Sequence, residues 1–388
     1  MTLWLTLTAR RYEAANRQAL GWLLARPGVF LDTKVNPLTG ADYGAADGQR
    51  GPGWIYGWIQ GRGLEALVTF ARDLAETDPA LSARLLARAR PLYAALDGLV
   101  ARDGHGAFLY RDGRPVQPVG GEIYTYSDAF FAKGLVAASA LFAQDDLPRH
   151  LDYLMRVIAA VEQGRFQMAE TTAIGPQALA AQPDDFGPRM ILLGAAGMLH
   201  RVGLDAHTGF ADRFIDTILS RYDDPETGLL WTVPGQDRRN PGHSIEFVGF
   251  ALEHLRHRPP NPDLTARLGR LLARVLDLSL TGPGIALFIR GDGSPDSPFH
   301  PWWSLPETIR ACALAQEAGT DLLAHWKTAD RLFFSNFWQP RRGYAFQTLT
   351  ADGPVDYVPA TPDLDPGYHT ALSLHAAARA ARRLAAGP

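Results

Sequence analysis

Apolar residues recur at helical spacing from one end of the chain to the other. Spacings of three and four residues bring such positions onto one face of a helix. The pattern predicts about twelve amphipathic helices, near residues 9-25, 57-75, 79-101, 127-143, 147-162, 187-203, 207-219, 241-256, 262-277, 303-318, 321-335 and 367-385.

Two kinds of link alternate between these helices. One kind is short, polar and marked by Pro or Asp, as in 73-82 and 257-264, and is typical of tight turns between antiparallel helices. The other kind is longer and combines a Gly, an alternating apolar stretch and a turn signal. It predicts small β-hairpins at 28-40, 106-116, 228-237, 284-295 and 343-354.

The helix pair with its hairpin loop recurs roughly every sixty residues, which indicates that neighbouring pairs bury one another's apolar faces. About six pairs could stack as an open solenoid or close into a ring. In a closed ring the wide loops gather at one end over a central cavity, which favours an enzyme. No composition shift divides the chain, so we expect one catalytic domain over residues 1-388.

Composition and charge exclude several classes of protein. Hydrophobic residues make up 46% and charged residues 20%, which is ordinary for a folded protein with a sizeable core. The net charge of -3 and the absence of a basic block argue against a nucleic acid partner. The first charges follow a mostly apolar start, the reverse of a secretory signal, and no apolar run approaches the ~18 residues of a membrane span. We therefore expect a cytoplasmic location.

The only cysteine, Cys312, lies in an apolar helical pattern. A single cysteine allows no intramolecular disulfide and no zinc site built on several thiolates. We expect a buried thiol.

Two of the six helices that follow long loops have similar starts, Asn-Pro-Gly-His at 240-243 and Asp-Pro-Gly-Tyr-His at 365-369. Asn and Asp are strong N-caps, and Pro suits the first helical position, so His243 and His369 both fall in a first turn. The positive end of the helix dipole disfavours imidazolium there, which leaves a neutral base at pH 7. This position suits a general base.

Glu246 lies three residues beyond His243, on the same helical face, where it could orient that imidazole, exchange a proton with a substrate, or only complement the dipole. Glu307 fits the capping box S-x-x-E and has a good structural explanation. Adjacent residues Trp302 and Trp303 cannot both face one side of a helix. One flat ring presented to a cavity suits the C-H face of a sugar.

Arg62 is the only basic residue of the apolar stretch "WIQGRGLEAL". It could extend to solvent, pair with a neighbouring carboxylate, or hold an oxyanion. His254, His257 and His375 fall late in their helices and are assigned to structure. The sequence has neither a phosphate-binding G-x-x-x-x-G-K-[ST] loop nor H-E-x-x-H, so phosphate transfer and a standard zinc protease are not indicated.

Six short motifs give the chain a resemblance to the N-acylglucosamine 2-epimerase superfamily, which also holds cellobiose 2-epimerases and mannose isomerases. They are "WIQGR" (58-62), "SDAFFAKGL" (127-135), "PRMILL" (188-193), "PGHSIE" (241-246), "WWSLPE" (302-307) and "YH" (368-369). The resemblance implies an all-α (α/α)6 barrel with short hairpins at one end, in agreement with the repeat.

The resemblance also implies roles for individual residues. His243 and His369 would be the acid/base pair of a sugar epimerase or isomerase, and Arg62 would stabilise the enediolate formed by removing the C2 proton of an aldose. Glu246 and Glu307 would support the site. The residues expected to contact a monosaccharide or disaccharide are Trp303, Trp58, Tyr56 and Tyr124.

Neither epimerisation nor isomerisation requires a metal or a redox cofactor, so no cofactor is expected. A homodimer is one of the assembly states left open. The middle helix "PRMILLGAA" lacks the histidine of the cellobiose epimerase and mannose isomerase branches, and His369 is followed by Thr370-Ala371 rather than the Pro-Arg of the acyl-sugar branch. The sugar and the choice between the two reactions therefore stay open.

Two other functions fit the same pattern less well. A glycoside hydrolase or unsaturated-uronyl hydrolase on the same barrel would use paired carboxylates, Glu246 with Glu307 or Asp128, but Asp128 is explained as a helix cap in "YSDAFF". A non-catalytic helical-repeat binding protein would leave the two helix-start histidines incidental, and it gives no reason for polar residues to concentrate on alternate helices.

Overall fold

The computed structural model describes residues 1–358 and 360–387, and all twelve predicted helices are found there. The first begins earlier than predicted, because the pattern upstream of residue 9 is also helical. A short helix, α6, was not predicted. The helices are α1 Thr2–Ala25, α2 Gly57–Asp73, α3 Pro79–Asp103, α4 Tyr126–Phe142, α5 Leu147–Glu162, α6 Pro176–Ala181, α7 Gly187–Arg201, α8 Gly209–Arg221, α9 Pro241–Leu255, α10 Pro262–Ser279, α11 Ser304–Glu317, α12 Leu323–Leu332 and α13 Ser373–Ala386.

Several helices are extended or linked by other helical turns. A π-helical turn, Phe333–Phe337, follows α12, and another, Tyr368–Leu372, leads into α13. Short 3₁₀ segments span Ala45–Arg50, Gln144–Asp146 and Asp205–His207.

The helices close into a ring rather than an open solenoid. Inner helices α2, α4, α7, α9, α11 and α13 pack against one another in that order, and the π-helical turn before α13 packs against α2. Each inner helix is backed by an outer one, with α1 behind α13 and α3, α5, α8, α10 and α12 behind the others. The predicted (α/α)6 barrel is confirmed, with the core between its two layers.

The inner helices α2 and α4 approach closely at a pair of glycines. A Cβ on Gly134 would lie 2.6 Å from the carbonyl oxygen of Gly61, and a Cβ on Gly61 would overlap the backbone carbonyl of Phe130. Neither position accepts a larger side chain without a backbone shift. This contact fixes Phe130 beside Arg62.

Short strands occupy the long loops. They are β1 Trp54–Tyr56, β2 Leu109–Arg111, β3 Arg114–Pro115, β4 Tyr124–Thr125, β5 Phe166–Gln167, β6 Asp223–Asp224, β7 Leu229–Leu230, β8 Leu280–Thr281, β9 Gly284–Ile285, β10 His300–Pro301, β11 Trp338–Gln339, β12 Tyr344–Ala345, β13 Thr348–Thr350 and β14 Gly353–Pro354. Three-stranded sheets have the orders β1-β2-β3 and β10-β13-β14. The two-stranded pairs are β4-β5, which is parallel, and antiparallel β6-β7, β8-β9 and β11-β12.

The predicted hairpins are correct at 106-116, which holds β2-β3, and at 343-354, which holds β13-β14. The one at 228-237 is wrong in register, because β7 pairs with β6 before it. In 284-295, β9 pairs with the preceding β8, while an isolated antiparallel bridge between Ile289 and Pro295 forms around the predicted Asp-Gly bend. Gly228, where the first of these stretches was predicted to begin, has φ +72° and lies in the turn between β6 and β7, and Gly282, with φ +55°, lies in the turn between β8 and β9. Region 28-40 contributes only an isolated bridge between Val35 and Asp42.

Cys312 is fully buried on α11, as predicted, and burial raises the pKa of its thiol. Of the helices in the described ranges, none combines the length and apolar character that crossing a bilayer requires.

Candidate active site

His243 lies in the first turn of α9, as predicted. Pro241 is the first helical residue, and the Asn240 side chain accepts a hydrogen bond from the His243 backbone N–H at 3.2 Å. Burial, and secondarily the charge of His369, lowers the pKa of His243 to about 4. The imidazole is therefore neutral at pH 7, mainly because it is desolvated rather than through the helix dipole.

His369 lies in the π-helical turn rather than in the first turn of an α-helix, so that part of the prediction is wrong. Gly367 has φ +88° and separates Pro366 from the helix. The capping prediction is right, because the Asp365 carboxylate accepts backbone N–H bonds from Tyr368 at 2.8 Å, His369 at 3.3 Å and Thr370 at 2.6 Å.

The His369 imidazole contacts two carboxyl groups. Nδ1 donates to Glu307 Oε1 at 3.0 Å and lies 3.6 Å from Glu246 Oε1. Glu246 thus approaches His369 rather than its helical neighbour His243, because it points across the barrel interior. The predicted capping box is not formed: Ser304 Oγ donates to the Pro301 carbonyl at 2.8 Å, and the Glu307 carboxylate faces His369 and Arg310.

Burial and neighbouring charges shift the pKa values of Glu246 and His369. Burial, assisted by repulsion from Glu307, raises the pKa of Glu246 to about 8, so this carboxyl holds its proton at pH 7. Burial lowers the pKa of His369, against an opposing effect of the Glu307 hydrogen bond. The site combines a neutral imidazole, a neutral carboxyl and an ionic Glu307–Arg310 contact.

Trp302 and Trp303 lie in the turn before α11, not within it. Helical geometry therefore does not separate them, and both rings contact His369, with centroid distances of 6.2 Å and 5.6 Å. Trp303 also lies 6.0 Å from the His243 ring. Gly242 makes room for it, since a Cβ there would come within 2.8 Å of Trp303 Cζ3.

Arg62 has no carboxylate within ion-pair distance in residues 1–358 and 360–387. Its guanidinium instead lies over the rings of Phe130 at 4.1 Å, Tyr368 at 5.3 Å and Trp58 at 5.5 Å. Its Nε is buried without a partner in the same ranges, and burial lowers its pKa. Of the three roles considered, pairing with a neighbouring carboxylate is not found.

The other three residues expected to contact a sugar, Trp58, Tyr56 and Tyr124, lie in separate surroundings. Trp58 packs beside Arg62 and donates from Nε1 to Glu170. Tyr56 ends β1, with its ring on Phe108 and its hydroxyl 3.4 Å from Gln49 Oε1. Tyr124 packs on His105 and Tyr153, and no contact joins it to the two histidines of the site.

Sequence reasoning missed a band of buried charges beneath the site. Lys133 Nζ contacts the Tyr368 hydroxyl at 2.5 Å and Glu65 at 3.3 Å. Alternating charges from the inner helices α4, α2, α7, α9 and α11 then lead to His369, through Lys133, Glu65, Arg201, Glu253, Arg310 and Glu307. The available signal was a charged residue within an otherwise apolar stretch of an inner helix, such as Lys133 in "FFAKGLVAA".

A cavity of about 350 Å³ lies on the opposite side of this band from His243, lined by the later turns of the inner helices. Glu307, Arg310 and Tyr368 form part of its wall, while His243, His369 and Arg62 do not line it.

Asp128 is a structural carboxylate. It accepts hydrogen bonds from the Thr125 backbone at 2.8 Å, the Gly106 backbone at 3.0 Å and the Tyr153 hydroxyl at 2.5 Å, and it contacts His105 at 3.1 Å. The predicted cap is confirmed.

Glu246, Glu307 and His369 also meet the distance requirement for a shared cation, because one ligand atom from each lies within 4.8 Å of the others. Arg310 already contacts Glu307 in this cluster.

No protein-family model matches the chain. No curated protein sequence matches it either. Solved structures do match. A D-mannose isomerase has a TM-score of 0.75 at 14% identity, over 95% of this chain and 97% of its own. The cellobiose 2-epimerase from Bacillus thermoamylovorans B4167 has a TM-score of 0.73 at 16% identity, over 96% and 99%. An unsaturated glucuronyl hydrolase specific for heparin has a TM-score of 0.59 at 11% identity, over 98% of each chain. At such low sequence identity these matches show a shared fold. They confirm the resemblance noted in the sequence at the level of the fold.

Proposed function

We propose that the chain is a sugar epimerase or isomerase that removes the C2 proton of an open-chain aldose and returns a proton to C2 or C1 through an enediolate. The observation that carries this proposal is the grouping of two histidines with lowered pKa, His243 and His369, around the ring of Trp303. A neutral imidazole is a competent base at pH 7, and an indole face suits a pyranose.

His369 is the better equipped base. Its Nδ1–H donates to the Glu307 carboxylate, which leaves the Nε2 lone pair to accept a proton. When Nε2 takes that proton, Glu307 stabilises the imidazolium at 3.0 Å. This pairing follows the general arrangement in which a carboxylate orients a catalytic histidine.

His243 is the second acid/base group. Its Nδ1 is buried without a hydrogen-bond partner in the described residues, so substrate is the group that would satisfy it. In 2-epimerisation it would act on the opposite face of C2 from His369. In isomerisation, which needs one base between C2 and C1, it would serve ring opening or hydroxyl proton transfer.

Arg62 and Glu246 would stabilise the oxygen atoms of the intermediate. The half-buried Arg62 lacks a carboxylate partner in the described residues, so its charge is available to the enediolate in a partly desolvated setting. With a pKa of about 8, Glu246 is protonated at pH 7 and can donate a hydrogen bond or a proton to a sugar oxygen. No step in either route uses a metal or a redox cofactor.

A hydrolase is the second candidate, favoured by the hydrolases that share the fold and by two more carboxyl groups, the buried Glu170 and the half-buried Asp185. Burial raises the pKa of Glu170 to about 7 and that of Asp185 to about 6. The geometry of Glu246 and Glu307 argues against a hydrolase. Both carboxyl groups contact the His369 imidazole, and one oxygen of Glu246 lies within 4.8 Å of one oxygen of Glu307. Glycosidase carboxyls flank the scissile bond at about 5–5.5 Å or about 6.5–9.5 Å.

The test is to incubate the protein with aldoses, ketoses and disaccharides in D2O and follow them by NMR. Deuterium at C2 of a recovered or epimerised sugar supports epimerisation, and deuterium at C1 of a ketose supports isomerisation. Bond cleavage without exchange identifies a hydrolase, and no turnover of any sugar favours the binding protein.

Variants then test the residues. His243→Ala and His369→Ala should each abolish exchange. His325→Ala is the matched control, because that histidine pairs with Asp277 on the outer surface at 2.9 Å. Full exchange in both site variants would refute the assignment.

A further inference from the structure

A second group of histidines lies at the opposite end of the inner helices from His243. His200 and His254 lie in the last turns of α7 and α9, and His257 lies in the turn that follows α9. Nε2 of His200 and Nδ1 of His254 lie 3.0 Å apart, and the His254 Nε2 lies 3.0 Å from Asp212 Oδ1. At the other end of the series, Nδ1 of His200 lies 2.5 Å from Asp205 Oδ1.

The hydrogen bonds fix which nitrogen of each ring carries a proton. Since Asp212 only accepts, His254 Nε2 carries a proton, and its Nδ1 then accepts from His200 Nε2–H when His254 is neutral. This leaves the Nδ1 lone pair of His200 directed at the Asp205 carboxylate. Two acceptors 2.5 Å apart must share a proton, because an ion with ligands at about 2 Å does not fit between them. A metal ion bound to His200 Nδ1 would displace that proton and move the Asp205 carboxylate back to ligand distance.

His257 lies beside this pair of atoms. Its ring stacks on His200 with centroids 4.1 Å apart and an interplanar angle of 7°, so the ring must turn to direct a nitrogen lone pair at an ion held by His200. One ligand atom each from His200, Asp205 and His257 lies within 4.8 Å of the others. Asp205 has 60% of its side chain exposed and His257 is also exposed, so both can adjust around an ion, while His200 is held in place.

We propose that His200, Asp205 and His257 form a binding site for a divalent transition metal ion of the Zn²⁺ type. Two imidazoles and one carboxylate are ligands that Zn²⁺ takes, and three protein ligands leave one position for water. His254 and Asp212 form the outer hydrogen-bond chain that orients His200, as carboxylates do behind ligating histidines. The ion would join the ends of α7 and α9 beside Arg201 and Glu253.

The proposal is tested by titrating metal-free protein without an affinity tag with Zn²⁺ in a calorimeter. We expect one Zn²⁺ per chain and a rise in Tm on addition of Zn²⁺. His257→Ala removes an exposed ligand and should lower affinity at least about tenfold, and Asp212→Asn should lower it about 10- to 100-fold by loosening the outer chain.

His325→Ala is again the control, because His325 pairs with a carboxylate but contacts no second imidazole within residues 1–358 and 360–387. It should bind Zn²⁺ like the wild type. Absence of Zn²⁺ binding by the wild-type protein would overturn the proposal and assign the cation position to a proton. Wild-type affinity in His257→Ala would overturn it as well.

Discussion

Replacing Glu307 with Gln is the sharpest test of how the site works. The substitution keeps the size of the side chain and an oxygen that Arg310 can still contact, while removing the negative charge that accepts from His369 Nδ1 at 3.0 Å. It therefore isolates the electrostatic contribution of Glu307 to the proposed base. Glu317→Gln, at the end of the same helix and paired with Arg383, is the matched control.

The magnitude follows from the strength of the lost interaction. A hydrogen bond to a charged group contributes about 1.5–3 kcal/mol. If that energy is gained only when His369 becomes charged in the transition state, kcat falls roughly 10- to 150-fold, since 1.36 kcal/mol is one decade in rate.

The pH dependence gives a second readout that a merely structural role would not move. In the wild type the Glu307 hydrogen bond raises the pKa of His369 against the larger lowering by burial. Without it the pKa falls further, so the acid limb of the rate profile should move to lower pH while the plateau drops. The assay is the initial rate of deuterium incorporation across a pH series. A wild-type rate, or a lower rate with an unmoved acid limb, would refute the reasoning.

Three further predictions follow from the same structure. Arg62→Lys keeps a positive charge but loses the planar guanidinium. We expect kcat to fall about 10²- to 10³-fold while the circular dichroism spectrum is unchanged. A rate near that of the wild type would contradict the enediolate role. Glu246→Gln should flatten the dependence of Tm on pH. The folded-state pKa of Glu246, about 8, lies above the ordinary value of 4.5, so stability that is fully present below 4.5 is lost as pH rises through about 8. Parallel curves for both proteins would count against it. Gly61→Ala should lower the free energy of unfolding by about 1–3 kcal/mol in urea titrations, through overlap with Phe130, and an unchanged value would contradict the tight crossing of α2 and α4.

Features that depend on neighbouring residues in the chain could be predicted without the structure. The helices and the caps at Asn240 and Asp365 depend on neighbours in sequence, and each was found where its pattern indicated. The pairing of the hairpin strands was less accessible, because a glycine such as Gly228 could begin a strand or form a turn. Only the strand that pairs with each segment decides between those two readings.

The sequence by itself determined the repeat, the alternation of tight and wide links, and the set of unusual residues at the starts of alternate helices. Tertiary structure decided which of them meet. Glu307 contacts His369 across 62 positions, Glu246 approaches His369 rather than His243, and Tyr124 packs in a separate cluster. Closing the ring fixes these contacts, because a side chain directed inward is met by partners from other helices, and periodicity within one helix carries no information about them.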